Sequence, residues 1–282
     1  MRCGWVLPYG DAQTAAELAA VAEEHGWDAI FVWEPVWGID AWVALTAAAM
    51  RTSRIRLGTM LTPLPRRRPW DVASQAATLD NLSGGRVILS VGLGAMDGRW
   101  WLFEEDPGRR VRAERLDEGL ELMTALWAGR PVSFSGKHFQ ARPAERLIPP
   151  PPVQRPRVPI WVVGAWPRPR SMGRAARWDG WLPAYLPPDG RVHGDLTTDQ
   201  LREGIDWLRR QRAGEGRSMD AYDIVVEGTT SVDRRAAEAT VRPWADAGAT
   251  WWIEADWSDM NPDRVRDAAR LRLIAGPPRA DL

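Results

Sequence analysis

A chain of 282 residues with 37 basic and 37 acidic side chains has no net field to draw it to a polyanion or an acidic membrane surface. A nucleic-acid partner is therefore not expected. Its one cysteine, Cys3, excludes an internal disulfide framework and a thiolate metal site, and no apolar run approaches the roughly 20 residues of a membrane span.

Short runs rich in Val, Ile, Leu and Trp alternate with segments of helical period, the pattern of βα units around a parallel sheet. Residues 3–7 are the first predicted strand, ended by Pro8 and Gly10, and an Ala-rich helix over about 14–25 is closed by Gly26. Residues 28–33 form the second strand, 41–50 a helix, and 55–61 the third strand, stopped by Pro63 and Pro65. A helix over 70–82 ends at Gly84 and Gly85, and the fourth strand, 87–91, opens into a Gly-rich turn. Leu116, Leu120, Met123 and Trp127 then mark the apolar stripe of a helix starting near Arg109.

Periodicity is lost over about 129–159, where prolines gather, and this stretch reads as an excursion over the surface. Alternation returns with strands at 160–163, 180–184, 223–227 and 250–254. Helices are predicted at 170–178, around Leu201, Ile205 and Leu208, around Ala237, Val241 and Trp244, and at 263–273. Eight strand–helix pairs predict a single (β/α)8 TIM barrel of the α/β class over residues 1–282, with insertions. The runner-up, a Rossmann sheet, lacks its fingerprint: the first turn reads Leu7-Pro8-Tyr9-Gly10-Asp11, and Gly92-Leu93-Gly94 has no third glycine at the required spacing.

In such a barrel, ligands bind where strands end and βα loops begin. Those loops hold Trp33, Glu34, Pro35 and Trp37 after the second strand, Thr59, Met60, Leu61 and Thr62 after the third, and Gly92, Gly94 and Asp97 after the fourth. Gly164, Ala165 and Trp166, followed by Arg168 and Arg170, suggest backbone amides at a helix N-terminus that favour a phosphate, with an arginine adding a bidentate contact. The alternative is a tight turn whose small residues allow close packing. Arg66, Arg67 and Arg68 are either solvated loop charge or a second anion contact.

Cys3 sits in an apolar run and is expected to pack in the core. His25, His138 and His193 are far apart with no ligand spacing around them, so no metal is expected. The N-terminus lacks the features of a signal peptide, and with one cysteine a soluble, cytoplasmic protein is expected. The 18 Trp point to large apolar surfaces, some lining a cavity for a flat ligand.

Several motifs occur together: Ile55-Arg56-Leu57-Gly58-Thr59, Ala77-Thr78-Leu79-Asp80-Asn81-Leu82-Ser83-Gly84-Gly85-Arg86-Val87, Val91-Gly92-Leu93-Gly94, Pro152-Val153-Gln154, Pro159-Ile160-Trp161-Val162-Val163-Gly164 and Asp179-Gly180-Trp181. In this combination the chain resembles the bacterial luciferase-like family of flavin- and deazaflavin-dependent oxidoreductases, from the first strand to about Pro183 and more weakly to the end. The resemblance implies a flavin lying across the barrel mouth, with its phosphate at Gly164, Ala165 and Trp166. It also implies a non-proline cis peptide at Met60-Leu61, where the bulge backs the ring. The expected activity is that of a monooxygenase using reduced FMN on a small apolar substrate, with a flavin reductase as electron source. The alternatives are hydride transfer with a deazaflavin of the coenzyme F-420 type, or a flavin-binding barrel without turnover. A homodimer through barrel helices is a further expectation from the resemblance.

The chain departs from the family pattern at two places. Many relatives carry Asp-His where this chain has Glu34-Pro35, and the deazaflavin-dependent glucose-6-phosphate dehydrogenases carry Glu where it has Ala95. Glu34 is left as the catalytic candidate, a carboxylate whose pKa desolvation by Trp33, Pro35 and Trp37 would raise. The alternative is an ion pair with a loop arginine. Trp5, Trp37, Trp100 and Trp101, with Trp166, are expected to line the substrate pocket. Trp100 and Trp101 have a helix seam or a subunit contact as their alternative.

Overall fold

The alternating runs close into a ring of eight parallel strands in the computed structural model, which describes residues 1–94, 100–143, 149–187, 194–259 and 261–279. In chain order the elements are β1 (Arg2–Leu7), α1 (Ala12–Glu24), β2 (Ala29–Val32), α2 (Ala41–Arg51), β3 (Arg56–Thr62), α3 (Pro69–Ser83), β4 (Val87–Val91), α4 (Arg109–Leu126), the short β5 (Phe134–Ser135) and β6 (Gln140–Ala141), then β7 (Ile160–Trp166), α5 (Pro169–Ala176), β8 (Gly180–Tyr185), α6 (Thr198–Gly214), β9 (Asp223–Gly228), α7 (Arg234–Asp246), β10 (Trp251–Glu254) and α8 (Pro262–Ile274). Around the barrel the order is β1, β2, β3, β4, β7, β8, β9 and β10, with β10 pairing back to β1. No helix among the described residues is long and apolar enough to cross a membrane.

Local signals set the helix ends. Asp11, Asp40 and Asp233 each accept a hydrogen bond from a first-turn amide, capping α1, α2 and α7. Gly84 ends α3 in the left-handed conformation, at φ 67°.

The largest departure from the sequence expectation is β7, which runs three residues further, to Trp166. Its neighbour supplies the cause: β8 continues beside it, with Gly164, Ala165 and Trp166 in register with Pro183, Ala184 and Tyr185. Backbone groups that find a partner strand stay in the ladder.

The excursion between α4 and β7 is tied down at both ends. The Glu118 carboxylate of α4 accepts from the amides of Lys137, His138 and Phe139 at 3.0, 2.8 and 3.1 Å, holding the β5–β6 hairpin. Further along, the Gln154 backbone and side-chain nitrogens both donate to Asp80 of α3, at 3.0 and 2.7 Å, and Arg56 donates to Gln154 Oε1 at 3.0 Å.

Side chains alternate along each strand, so one set faces the helices and the other fills the barrel. Cys3, Trp5 and Leu7 of β1 join the outer core, whereas Val6 faces inward with Phe31, Trp161, Trp251 and their neighbours. These three inward rings stack across the lower barrel, with centroids 5.4 Å apart for Phe31–Trp161 and 5.2 Å for Trp161–Trp251. Glycines make the room. A Cβ on Gly4 or Gly58 would stand 2.8 or 2.6 Å from the Phe31 ring, and one on Gly180 would stand 2.4 Å from Trp161.

At Gly58 the added methyl would also meet the Ile88 carbonyl oxygen at 2.6 Å, a backbone atom that cannot swing away. Gly58→Ala is therefore expected to cost about 1–3 kcal/mol by overpacking, read as a lowered midpoint in urea unfolding. An unchanged midpoint would show that the barrel floor yields more readily than its packing implies.

Candidate active site

Above the aromatic floor, the C-terminal halves of the strands turn Val6, Met60, Val163, Leu182 and Ala255 inward. Alternation from Ile88 adds Ser90 of β4 to the same level. Ser90 is fully buried, and its hydroxyl has no hydrogen-bond partner among the described residues.

Glu227 of β9 completes this layer. Asp223 and Val225 are inward, Ile224 and Val226 pack outward, and Glu227 is next in the inward phase. Water reaches it through the mouth, yet the barrel wall surrounds it, and this desolvation pushes its carboxyl up to about 7. A group titrating near neutrality suits proton transfer in either direction. Glu227 went unnoticed in the sequence because residues 223–227 read there only as a strand. The signal that could have found it is a carboxylate at the C-terminal end of a barrel strand, in phase with the inward residues before it.

The third strand ends as the resemblance implied. The Met60-Leu61 peptide is cis, and the β3–β4 register shifts between Thr59 and Thr62. Gly92 lies against this bend, for a Cβ there would come within 3.1 Å of both Leu61 and Val163. Gly94, at φ 80°, needs the left-handed region, and Arg112 holds the turn by donating to the Leu93 and Gly94 carbonyls at 3.2 and 2.8 Å.

Glu34 takes the ion-paired alternative. Arg67 donates to one carboxylate oxygen and Thr62 Oγ1 to the other at 2.6 Å, while Arg67 also donates to Gln75 at 2.8 Å. With Thr59 Oγ1 standing 3.0 Å from Thr62, the buried Thr59 and Glu34 brace the loops after β2 and β3. Both oxygens of Glu34 are thus engaged by protein.

The residues expected to cradle a phosphate prolong a strand and do not form a turn. Gly164, Ala165 and Trp166 are strand residues, and the Ala165 amide donates to Ser171 Oγ at 2.9 Å. Gly164 serves packing: a Cβ there would stand 2.6 Å from Trp181 Nε1, which donates to the Gly164 carbonyl at 2.9 Å. Arg168 caps α5 and donates to the Pro187 carbonyl at 2.7 Å. Arg170, exposed in the first turn of α5, pairs with no described residue.

Most of the tryptophans named for the pocket lie elsewhere. Trp5 is on the outer side of β1, packed under helices. Trp100 is buried between the guanidinium groups of Arg66 and Arg112, 5.3 and 5.5 Å from its ring centre. Trp37 is 86% exposed on its loop, and Trp166 leans on the outer core. Ala95, Asp97 and His193 lie outside the described residues, as does the side chain of Trp101. The aromatic group at the strand ends consists instead of Tyr9, Trp33 and Trp257, with centroids 5.4 Å (Tyr9–Trp33) and 6.0 Å (Trp33–Trp257) apart.

Two concavities lie away from the mouth. One, of about 530 Å³, is on the helix layer beside Trp70, Trp127 and Pro149, and the other, of about 260 Å³, is at the N-terminal face beside Arg2, Arg56 and Asp223. Reacting groups of a barrel converge at neither place. Among the described residues no three of His, Cys, Asp and Glu cluster as metal ligands would.

A protein-family profile described as luciferase-like monooxygenase matches residues 1–272. The chain is 33% identical over 260 residues to a Mycobacterium tuberculosis protein named as a coenzyme F420-dependent oxidoreductase, covering 86% of this chain and 71% of that one. It is 34% identical over 275 residues to the F420-dependent glucose-6-phosphate dehydrogenase of Nocardia farcinica, covering 90% and 75%. Among solved structures, a monooxygenase from Streptomyces bottropensis superposes with a TM-score of 0.76 at 21% identity, over 97% of this chain and 98% of that one. That likeness is one of fold.

Two substitutions separate the carboxylates. Glu34→Gln leaves the Arg67 charge unpaired and is expected to cost about 1–3 kcal/mol in denaturant unfolding at neutral pH. For Glu227 the folded carboxyl is raised, so the stability its proton contributes is complete below the unfolded value of roughly 4.3 and is lost as pH rises through about 7. Glutamine has no such titration. Melting temperatures of Glu227→Gln and the parent, compared at pH 4.5 and 8, are expected to favour the variant increasingly as pH rises; a pH-independent difference would mark Glu227 as an ordinary carboxylate.

Proposed function

The chain belongs to the luciferase-like monooxygenase family, and from that premise we propose that it is a deazaflavin-dependent oxidoreductase, transferring a hydride between a coenzyme of the F420 type and a small organic substrate at the barrel mouth. The relatives favour one of the two cofactors. Both curated relatives above 30% identity described here are named for F420, which supports the deazaflavin alternative over the FMN monooxygenase first expected. Glucose 6-phosphate is not carried over from the Nocardia protein, because Ala95 stands where the resemblance implies a glutamate.

The observation that carries the reading is the upper barrel itself: an apolar floor of Met60, Val163 and Leu182 with two polar groups, Ser90 Oγ and Glu227, that no described residue satisfies. A flat heteroaromatic ring with a polar edge fits those surroundings, since the buried Ser90 hydroxyl, left alone, costs free energy that a ligand's hydrogen bond recovers. Met60 and Leu61 would back the ring, and Ser90 would meet its edge. Because the Ala165 amide is engaged by Ser171, Arg170, which pairs with no described residue, is the side chain assigned to the anionic tail. When bound, the coenzyme supplies a carbon centre that accepts or gives up a hydride. The chain supplies position, the rim aromatics Tyr9, Trp33 and Trp257 that restrict water, and a carboxyl able to hold a proton. Exposed Val43 and Met50 on α2 and Leu82 on α3 support a homodimer through that helix layer.

Separate titrations of the purified protein with F420 and with FMN, followed by Trp fluorescence, test the choice. F420 is expected to bind at least about tenfold more tightly, a difference of about 1.4 kcal/mol, and Arg170→Glu to weaken F420 binding by a similar factor without changing the far-UV spectrum. Preference for FMN would return the protein to the monooxygenase reading.

A further inference from the structure

Three other described carboxylates around the barrel core are held by the protein. Asp223, four residues before Glu227 on the same inward face, pairs with Arg2 at 2.6 Å and accepts from Trp161 Nε1 at 3.0 Å. Glu34 is held by Arg67 and Thr62, and Glu254 accepts from the Thr230 amide and hydroxyl at 2.6 and 2.7 Å beside Arg272. Glu227 has no hydrogen bond or ion pair to any described residue.

The strands packed around it bring no compensating charge. Beside β9, the inward residues at this level are Leu182 and Ala184 of β8 and Ile253 and Ala255 of β10, and across the barrel stand Val6, Met60 and Ser90. None is charged, and the next inward charge down β9, Asp223, already has Arg2. Desolvation by the surrounding wall, and no neighbouring charge, raises the carboxyl although water reaches it from the mouth. On the rim, Arg67 is paired with Glu34 and Arg66 with Glu104 at 3.1 Å. A carboxylate kept unpaired in an apolar, water-accessible hollow has no structural use that a leucine would not serve better.

We infer that Glu227 takes and returns the proton of the substrate's hydroxyl or carbonyl oxygen, and that the site accepts an uncharged alcohol–carbonyl pair and not an anion such as a sugar phosphate. The inference rests on the redox reading of the mouth given above. Oxidation of R2CH–OH to R2C=O breaks one C–H and one O–H bond. The C–H electron pair leaves with hydrogen as hydride to the deazaflavin, the O–H pair becomes the second carbon–oxygen bond, and the proton passes to a Glu227 oxygen and then to water at the mouth. Reduction retraces this path from protonated Glu227, returning hydride to carbon and the proton to oxygen. An anionic substrate would sit beside a carboxylate with no cation among the described inward residues of the upper barrel to offset the repulsion.

Carbodiimide labelling of the full-length protein tests this without a known substrate, since the reagent activates protonated carboxyls that an added amine then captures. At pH 7 a carboxyl titrating near 7 is about half protonated, against roughly one in 500 for an ordinary Glu. With ethylenediamine as the amine, peptide mapping by mass spectrometry is expected to show Glu227 modified on the order of a hundredfold faster than surface carboxylates. An anion that entered the hollow would shield Glu227, so excess sulfate, which does not react with the reagent, should leave the ratio of Glu227 to surface labelling unchanged. Bound F420, followed in the same samples by Trp fluorescence, should protect Glu227. Labelling no faster than at the surface, protection of Glu227 by sulfate, or full labelling with F420 bound overturns the inference while leaving the cofactor assignment intact. Failure of the parent protein to bind F420 overturns the cofactor assignment, and this inference with it.

Discussion

Three aromatic rings packed across the lower barrel set the terms for the rest of the molecule. Phe31, Trp161 and Trp251 bury about 150–250 Å² each, worth at most about 4–6 kcal/mol apiece, and they fit only because Gly4, Gly58 and Gly180 face them with no side chain. Asp223 fixes the arrangement from below, accepting from Trp161 while drawing Arg2 over the Trp251 ring at 4.6 Å. A barrel plugged this way below has its remaining space above. The side chains there are mostly short or slender, so the one charged group among them, Glu227, stands over an apolar floor and under the open end.

The motifs that made the family legible divide between the two ends of this barrel. Asp80, Gln154 and Arg56 come from three separate motifs and meet at the strands' N-terminal side, joining α3, β3 and the excursion through hydrogen bonds of 2.7–3.0 Å. They hold the chain's path and lie far from the strand ends where chemistry collects. Met60, Leu61 and Gly92 belong to the other end, and their packing shapes the floor of the mouth. Much of what a family shares is thus support for the barrel, which explains how one fold serves both oxygen-dependent and deazaflavin-dependent relatives.

Architecture was far more legible in the sequence than the site. Strand and helix periods are local and repeat over many residues, so eight βα units and most of their boundaries could be read directly, down to Gly84 at the end of α3. The residues 164–166 were misread because small residues before a helix look the same whether they form a turn or extend a strand. The neighbour β8, not the local sequence, decides. Trp5 and Trp100 were misplaced for a related reason: an indole is equally at home in a pocket or a core, and only the phase of β1 and the two flanking arginines tell which. Glu34 stood out in sequence by its aromatic neighbours, but Arg67, 33 residues away, determines its state. Glu227 needed the inward phase of β9, which the flanking Ile224, Val225 and Val226 do not reveal until the barrel closes.

The contrast between Glu34 and Glu227 bears on how a proton could be handled where no imidazole stands among the described residues of the mouth. Paired with Arg67 and Thr62, Glu34 fixes two loops, with a protein donor on each of its oxygens. Glu227 has the opposite surroundings: with no partner, its ionised and neutral forms lie close in free energy near neutral pH, so a proton can move on or off without rearranging a network. Hydride transfer between two carbon centres asks for little more from a protein than alignment, a dry apolar floor and one such proton-handling group. Among the described residues, Glu227 is the unpaired inward carboxylate that meets the last of these requirements under the proposed reaction.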